Sequence, residues 1–218
     1  MLMILKYGKI IAIGDSHVRS FANNEYFIPF YLGAGRDNCF INDEKTIITK
    51  NRLFEIMSKF NVDDVFMLVL GEPDCRWCTY NNWQPGKIQY DKIDKSINRF
   101  LDVIFEIKQI YKNLIIYNVT PTNRKEQNIL NLEWNKITND FCGENKIIFC
   151  SIYDDVISSM DKYLADIIHL NLKASELVLQ KLNINSDFES LGDYTISNSS
   201  FSYNDKFSCF TYKNNNDK

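Results

Sequence analysis

Three residues of this sequence have the types that a nucleophile, its base and the partner of that base require. Ser16 follows Gly14-Asp15 directly after an apolar run, and near the far end of the chain Asp166 precedes His169 by three residues. A serine hydroxyl is a weak nucleophile, so it needs an adjacent base and a third group that orients the base. Together these residues suit catalysis by a serine nucleophile.

Few groups could serve as the base, because the chain contains only two histidines. His17 adjoins Ser16, and neighbouring residues at a helix start point in different directions, which makes His17 a poor partner. His169 remains, and a spacing of three in a turn or short helix puts Asp166 on the same face. Taken singly, Ser16 could simply cap a helix, and His169 could be buried by chance. The catalytic interpretation therefore depends on the combination of the three residues.

The proposed base also predicts a pH dependence. A neutral His169 would take the serine proton through Nε2 while Asp166 accepts its Nδ1 hydrogen. Activity should then rise with pH through the imidazole pKa, about 6.5 when unperturbed. We expect the carboxylate of Asp166 to move that pKa upward.

A scaffold must bring the two ends of the chain together, and the apolar pattern predicts one. Strand-like runs occur at about 8–13, 27–32, 62–70, 114–119 and 146–150. Helical segments are expected at about 16–24, 50–60, 91–112, 126–141 and 173–182, and a long polar loop follows the third strand. This alternation predicts an α/β fold with a mostly parallel five-stranded sheet and helices on both faces. Pro29 suggests an edge position for the second strand.

Composition limits the class of protein. The length of 218 residues allows a sizeable core, and 45% hydrophobic with 24% charged residues is ordinary for a globular chain. A net charge of -3 argues against nucleic-acid binding. No apolar run is long enough to span a bilayer, and the first residues lack the features of a signal peptide. We therefore expect a cytoplasmic protein without nucleic-acid or membrane partners.

The six cysteines also fit a cytoplasmic protein. Cys75 and Cys78 have the spacing of a redox or zinc motif, but no second closely spaced pair completes a four-ligand site. Free thiols in the core are the expected outcome, and no metal or organic cofactor is implied.

The composition changes after Asn183 to asparagine, serine, aspartate and aromatic residues. We assign residues 1–184 to the main domain and 185–218 to an extension whose last residues are predicted to be disordered. Its aromatic content favours a hairpin, or an arm that packs on the body or on another subunit. A homo-oligomer that assembles through the extension is therefore one of the partners to be considered.

Four motifs in order resemble those of the SGNH/GDSL hydrolase superfamily. They are Gly14-Asp15-Ser16, the glycine loop 33–35, Gly71-x-x-Asp74 and Asp166-x-x-His169, and they span most of the chain. The resemblance implies a flavodoxin-like three-layer α/β/α sandwich. It also implies that Ser16 is the nucleophile, His169 the base and Asp166 its orienting partner.

The family builds its oxyanion hole from the backbone N–H of the nucleophile, a glycine N–H of the second motif and an asparagine side chain of the third. By this resemblance Ser16 and Gly35 would supply the first two donors, with Gly33 as the near alternative. The third motif departs from the family, because Pro73 stands where the asparagine is usual and has neither a side-chain donor nor an N–H.

Arg76 is the nearest replacement for the missing donor, since a guanidinium stabilises developing negative charge. A structural salt bridge from Arg76 to Glu72 or Asp74 is an equal alternative. Arg36 and Arg124 are weaker candidates.

The substrate is less well defined by the sequence. Trp77 and Trp83 would lie over the crevice, where their rings could stack on sugar faces or form a lid. Some branches of the superfamily that add or remove acetyl groups on polysaccharides also lack the usual asparagine. The resemblance thus predicts a serine esterase for a small acyl ester, for example an O-acetyl group on a glycan. The alternatives are a glycan O-acyltransferase with the same triad and a catalytically weak glycan-binding or assembly protein.

Overall fold

The computed structural model describes residues 9–33, 39–81, 84–184, 201–206 and 209–213. Seven strands form a central sheet in the order β7-β6-β3-β1-β2-β9-β8, and two short strands, β4 and β5, pair separately. The strands are β1 (Ile10–Gly14), β2 (Phe27–Tyr31), β3 (Val65–Val69), β4 (Tyr80–Asn81), β5 (Gln84–Pro85), β6 (Asn113–Tyr117), β7 (Ile148–Cys150), β8 (Phe201–Asn204) and β9 (Cys209–Tyr212). All neighbours in the central sheet are parallel except β8 and β9.

Helices cover both faces of this sheet. A short 3₁₀ helix spans Ser16–Phe21, and the α-helices are α1 (Asp43–Met57), α2 (Glu72–Thr79), α3 (Tyr90–Ile110), α4 (Lys125–Glu144), α5 (Tyr153–Ile157), α6 (Met160–Tyr163) and α7 (Lys173–Lys181). Within the described ranges, none of the helices is long and apolar enough to cross a membrane.

Alternate residues of each strand supply two separate cores, as the pleat of a strand requires. In β1, Ile11 and Ile13 pack with apolar residues of α1 to α4. Ile10 and Ala12 point to the other face and pack with the 3₁₀ helix, α5 and α7. The predicted three-layer α/β/α architecture is confirmed.

The predicted number of five strands is wrong, because the extension adds a hairpin to the sheet. Strand β9 pairs with β2 through Phe30 and Tyr31. The Phe210 ring stacks on that of Phe30 with a centroid distance of 5.3 Å. Strand β2 therefore has a neighbour on each side, and Pro29 does not mark an edge; the pairing with β9 begins just after it. Residues 214–218, predicted to be disordered, lie outside the described residues.

The predicted polar loop after β3 is also wrong, because its first half is helix α2. Pro73 is the second residue of this helix, where the missing N–H costs no helical hydrogen bond. Glu72 and Asp74 place acidic groups in the first turn, which the helix dipole favours. This helix, rather than a loop, carries the predicted site residues Arg76 and Trp77.

All six cysteines are buried and free, as predicted. Burial raises the pKa of the Cys78 thiol to about 12 and that of Cys75 well above its ordinary value. The two thiols of α2 are therefore protonated and belong to the core.

Candidate active site

The site begins where β1 ends, at the carboxyl edge of the sheet. A Cβ atom at Gly14 would lie 1.9 Å from the carbonyl oxygen of Val69, so only glycine fits between β1 and β3. Asp15 then caps the 3₁₀ helix, its Oδ1 accepting the N–H of His17 at 2.9 Å. These contacts put Ser16 on the first turn of that helix.

Ser16, His169 and Asp166 lie in one hydrogen-bonded chain. Ser16 Oγ is 2.8 Å from His169 Nε2, and His169 Nδ1 is 2.8 Å from Asp166 Oδ2. The backbone N–H groups of Ile168 and His169 donate to Asp166 Oδ1 at 2.9 and 2.8 Å, which fixes the carboxylate against its own turn. This connectivity is what a serine nucleophile, its base and an orienting acid require.

Burial and hydrogen bonds set the charges of this chain. Burial alone would raise the pKa of Asp166, but the N–H groups of Ile168 and His169 and the imidazole hold it well below its ordinary value. For His169, burial lowers the pKa and outweighs the upward effect of Asp166. The predicted upward shift of the His169 pKa is therefore wrong in sign. Loss of solvation destabilises the imidazolium more than the carboxylate of Asp166 stabilises it.

Arg19 is a site residue that the sequence reasoning missed. Its Nη2 donates to Asp166 Oδ2 at 3.0 Å. The side chains of Arg19 and Asp166 are 29% and 47% exposed, so solvent screens this pair. The only indication of this role in the sequence is a basic residue one turn after Ser16. Its partner, Asp166, lies 147 positions away, so the pair is not visible as a local pattern.

The other histidine, His17, lies against the ring of His169. The rings of His17 and His169 have centroids 5.0 Å apart. His17 Nδ1 is 3.3 Å from Thr120 Oγ1, and its Nε2 is 4.0 Å from Glu72 Oε2. Burial lowers the pKa of His17 well below its ordinary value, so the ring is neutral at pH 7. The sequence analysis set His17 aside as a poor partner for Ser16, and the structure places it beside His169.

Three carboxyl groups are buried in this part of the molecule, and two of them, Asp15 and Glu72, lie beside His17. Burial, together with the charge of Glu72, raises the pKa of Asp15 to about 8. Burial likewise raises the pKa of Asp74 to about 7, although Asp74 Oδ1 accepts the N–H of Phe40 at 2.8 Å. Glu72 is paired instead, with Gln127 Nε2 donating to Oε1 at 2.9 Å and Arg76 Nη2 3.4 Å from Oε2.

The buried carboxyl of Asp15 predicts a stability effect. An unfolded Asp15 is ionised above about pH 4, whereas the folded group keeps its proton to about pH 8. The folded state then binds more protons, so its contribution to stability falls as pH rises through this range. Between pH 6.5 and 8 the two histidines, whose pKa values are lowered on folding, add only a smaller opposing effect that fades above about pH 6.5. We therefore expect Tm to fall with pH.

Asp15→Asn should flatten that slope, because asparagine cannot ionise but still accepts the His17 N–H. Thermal melts at pH 6.5 and 8 measure the effect, with roughly 2–4 °C expected per kcal/mol for a chain of this size. Asp102→Asn, at an exposed position of α3, should keep the wild-type slope. Equal slopes in Asp15→Asn and the wild type would contradict the assignment.

Some of the remaining predicted site residues are described by the structure, and others are not. The Arg76 side chain is 19% exposed and contacts Glu72, so the predicted alternative salt bridge is present. Trp77 is 41% exposed on α2. Gly33 has φ 110°, a conformation that glycine adopts readily. Gly35, Arg36 and Trp83 lie outside the described residues.

No protein-family model matches the sequence, and no curated protein is significantly similar to it. Solved structures do share the fold. A member of the lipolytic G-D-S-L family from Veillonella parvula superimposes with a TM-score of 0.56 at 16% identity, covering 83% of this chain and 99% of its own.

Two further structures agree with it. A GDSL-like lipase from Bacteroides thetaiotaomicron has a TM-score of 0.58 at 13% identity, covering 84% of this chain and 89% of its own. A catalytic mutant of an acetylxylan esterase from Geobacillus stearothermophilus has a TM-score of 0.54 at 13% identity, covering 87% and 100%. The predicted fold is confirmed, since these GDSL-type structures and the acetylxylan esterase share it.

Proposed function

We propose that this chain, which has the fold of the SGNH/GDSL hydrolases, is a serine esterase that cleaves a small acyl ester through an acyl-enzyme on Ser16. The observation that carries the proposal is the hydrogen-bonded chain from Ser16 through His169 to Asp166. An exposed serine without a base would be unreactive.

In the proposed first step, Ser16 Oγ attacks the carbonyl carbon while its proton passes to His169 Nε2. The tetrahedral intermediate collapses when His169 returns that proton to the alcohol oxygen, which leaves as the C–O bond breaks. A water molecule then attacks the acyl group with the same proton transfers, releasing the acid and restoring Ser16. Throughout, Asp166 accepts the Nδ1 hydrogen and keeps Nε2 directed at Ser16.

The negative charge of the intermediate needs hydrogen-bond donors. We assign this role to the N–H groups of Ser16 and Gly35, with Gly33 as the alternative to Gly35, and to Arg76 in place of the family's asparagine. The positive charge of Arg76 and its position on α2, the helix whose first turn contains Pro73, support the choice. Its ion pair with Glu72 is the competing role.

The substrate we propose is an ester with a short acyl group, such as an O-acetyl group on a glycan. Two observations support a glycan: the half-exposed indole of Trp77, and the acetylxylan esterase among the structures that share the fold. Trp83 would join Trp77 in holding the sugar, since aromatic faces stack on apolar sugar faces.

An ester panel tests the proposed function. Acetyl, butyryl and octanoyl p-nitrophenyl esters should be hydrolysed at rates that fall in that order, and acetylated xylan should be hydrolysed as well. The Ser16→Ala protein serves as the blank. Hydrolysis that is equal in both proteins, or absent with every ester, would contradict the proposal. Transfer of acetyl to an added sugar acceptor in place of acetate release would reassign the protein as an acyltransferase.

The lowered pKa of His169 predicts the pH profile of this activity. Because the neutral imidazole is the base, kcat/KM should rise with pH and level off with an inflection below 6.5. Asp166→Asn removes a charge that favours the imidazolium, so the inflection should move lower still. The plateau should fall roughly tenfold, a modest loss because the carboxylate is exposed and shares its charge with Arg19.

Initial rates from pH 4.5 to 8.5 measure both effects, and Asp161→Asn, an exposed change in α6, serves as the control. A flat profile in an active enzyme, or an inflection above 6.5, would exclude His169 in this role.

A further inference from the structure

A buried carboxyl group lies beyond the second histidine, whose ring contacts that of the proposed base. Glu72 is 3% exposed, and its Oε2 faces His17 Nε2 across 4.0 Å. The His17 ring in turn lies against the His169 ring, with 5.0 Å between centroids. His17 is thus a neutral group interposed between a buried negative charge and the base.

The usual counter-charge of the base, Asp166, is shared with solvent and with a second partner in this protein. Asp166 has a side chain that is 47% exposed, and Arg19 takes part of its charge through a 3.0 Å contact. Solvent and Arg19 together reduce the field that Asp166 exerts at His169. The field of a fully buried carboxylate is screened much less.

We propose that Glu72 is a positioning residue for His169: its carboxylate, acting across the ring of His17, stabilises the imidazolium that forms when Ser16 gives up its proton. The proton moves from Ser16 Oγ to His169 Nε2 as before, and Glu72 itself exchanges none. The carboxylate also orients His17, since it favours the tautomer whose Nε2–H points at Glu72 and whose Nδ1 accepts from Thr120. This inference rests on the proposed function, because it assigns a role in the same proton transfer.

The charged groups that the described residues place around the pair all enter this balance. They are Asp166 from the turn of His169, Asp15 at the cap of the 3₁₀ helix and Arg19 within it, and Arg76 and Asp74 from α2. Burial raises the pKa of Asp15 to about 8, so this group is mostly protonated at pH 7, and that of Asp74 to about 7, so this group is partly ionised there. Arg76 Nη2 lies 3.4 Å from Glu72 Oε2, so its positive charge offsets part of the charge of Glu72. The burial of His169 lowers its pKa, whereas the charge of Glu72 raises it and that of Arg19 lowers it.

The test is the titration of the imidazole itself, followed by NMR of the ring protons. With two histidines in the chain, the signal lost in His169→Gln identifies the base. In Glu72→Gln, which keeps the shape and the contact with Gln127, His169 should titrate at lower pH than in the wild type. Arg19→Gln should move it to higher pH, and Glu106→Gln, at a distant exposed site of α3, should leave it unchanged.

Kinetics on the same proteins link the titration to the reaction. Glu72→Gln should lower the plateau of kcat/KM about five- to tenfold and move its inflection to lower pH. A merely structural role would lower the plateau without moving the inflection. If no variant hydrolyses any ester while the titration shifts as expected, the proposed function fails and the electrostatic assignment stands.

An unchanged His169 titration in a folded Glu72→Gln protein overturns the inference. Should that variant not fold, Glu72→Asp carries the test, because it keeps the charge but withdraws it from His17 by one methylene. The titration must then move in the same direction by a smaller amount, and no movement overturns the inference equally.

Discussion

Ser16→Ala is expected to abolish covalent labelling by a fluorophosphonate and to lower kcat by about 10⁴-fold or more. The hydroxyl of Ser16 lies 2.8 Å from His169 Nε2, and the described structure gives no other serine hydroxyl a hydrogen bond to a histidine ring. Without Oγ no acyl-enzyme can form, so only weak stabilisation of attack by water would remain.

Intact-mass spectrometry before and after labelling measures the adduct. Ser20→Ala is the matched control, since Ser20 lies in the same 3₁₀ helix and donates to the carbonyl of His17. It should lower stability slightly and keep the label. An adduct that survives Ser16→Ala, or full activity without Ser16, would remove the acyl-enzyme from the mechanism.

Arg76→Ala should lower kcat by about 10²–10³ with little change in KM, the loss typical of one deleted oxyanion donor. The physical reason is that a guanidinium aimed at the carbonyl oxygen gains its interaction when negative charge develops there. Arg76→Ala should also lower the stability of the protein, because it removes one partner of the buried carboxylate of Glu72. Measuring both Tm and kcat therefore separates the two roles of Arg76.

Arg99→Ala is the control for the ion-pair role. Arg99 pairs with Asp43 at 2.6 Å between α3 and α1, away from Ser16, so its loss should affect Tm and leave kcat alone. If Arg76→Ala behaves like Arg99→Ala, the ion pair with Glu72 is its role, and the missing donor is supplied elsewhere or not at all.

Local features of the sequence determined the fold class and the predicted positions of the site residues. A five-residue apolar run that ends in glycine specifies β1 and the turn after it, because strand formation and turning depend on neighbouring residues. The spacing of Asp166 and His169 specifies one turn in the same way. The long apolar stripe of α3 fixed that helix within one or two residues.

The sequence failed where a local signal was absent or ambiguous. The segment after Gly71 contains a proline and many polar residues, which are typical of a loop, yet Pro73 in the first turn is compatible with helix α2. Strands β8 and β9 are short, so their pairing with β2 depends on Phe30 and Phe210 meeting across the sheet edge.

Only the tertiary structure decided how charge is distributed at the site. Ser16 and His169 are 153 positions apart, and neither the Arg19–Asp166 pair nor the approach of Glu72 to His17 leaves a pattern in the sequence. The direction of the His169 pKa shift is likewise a feature that only the tertiary structure decided. Its sign is set by how much water all the surrounding elements exclude, and burial is a collective property of the packed chain that the spacing of Asp166 and His169 does not contain.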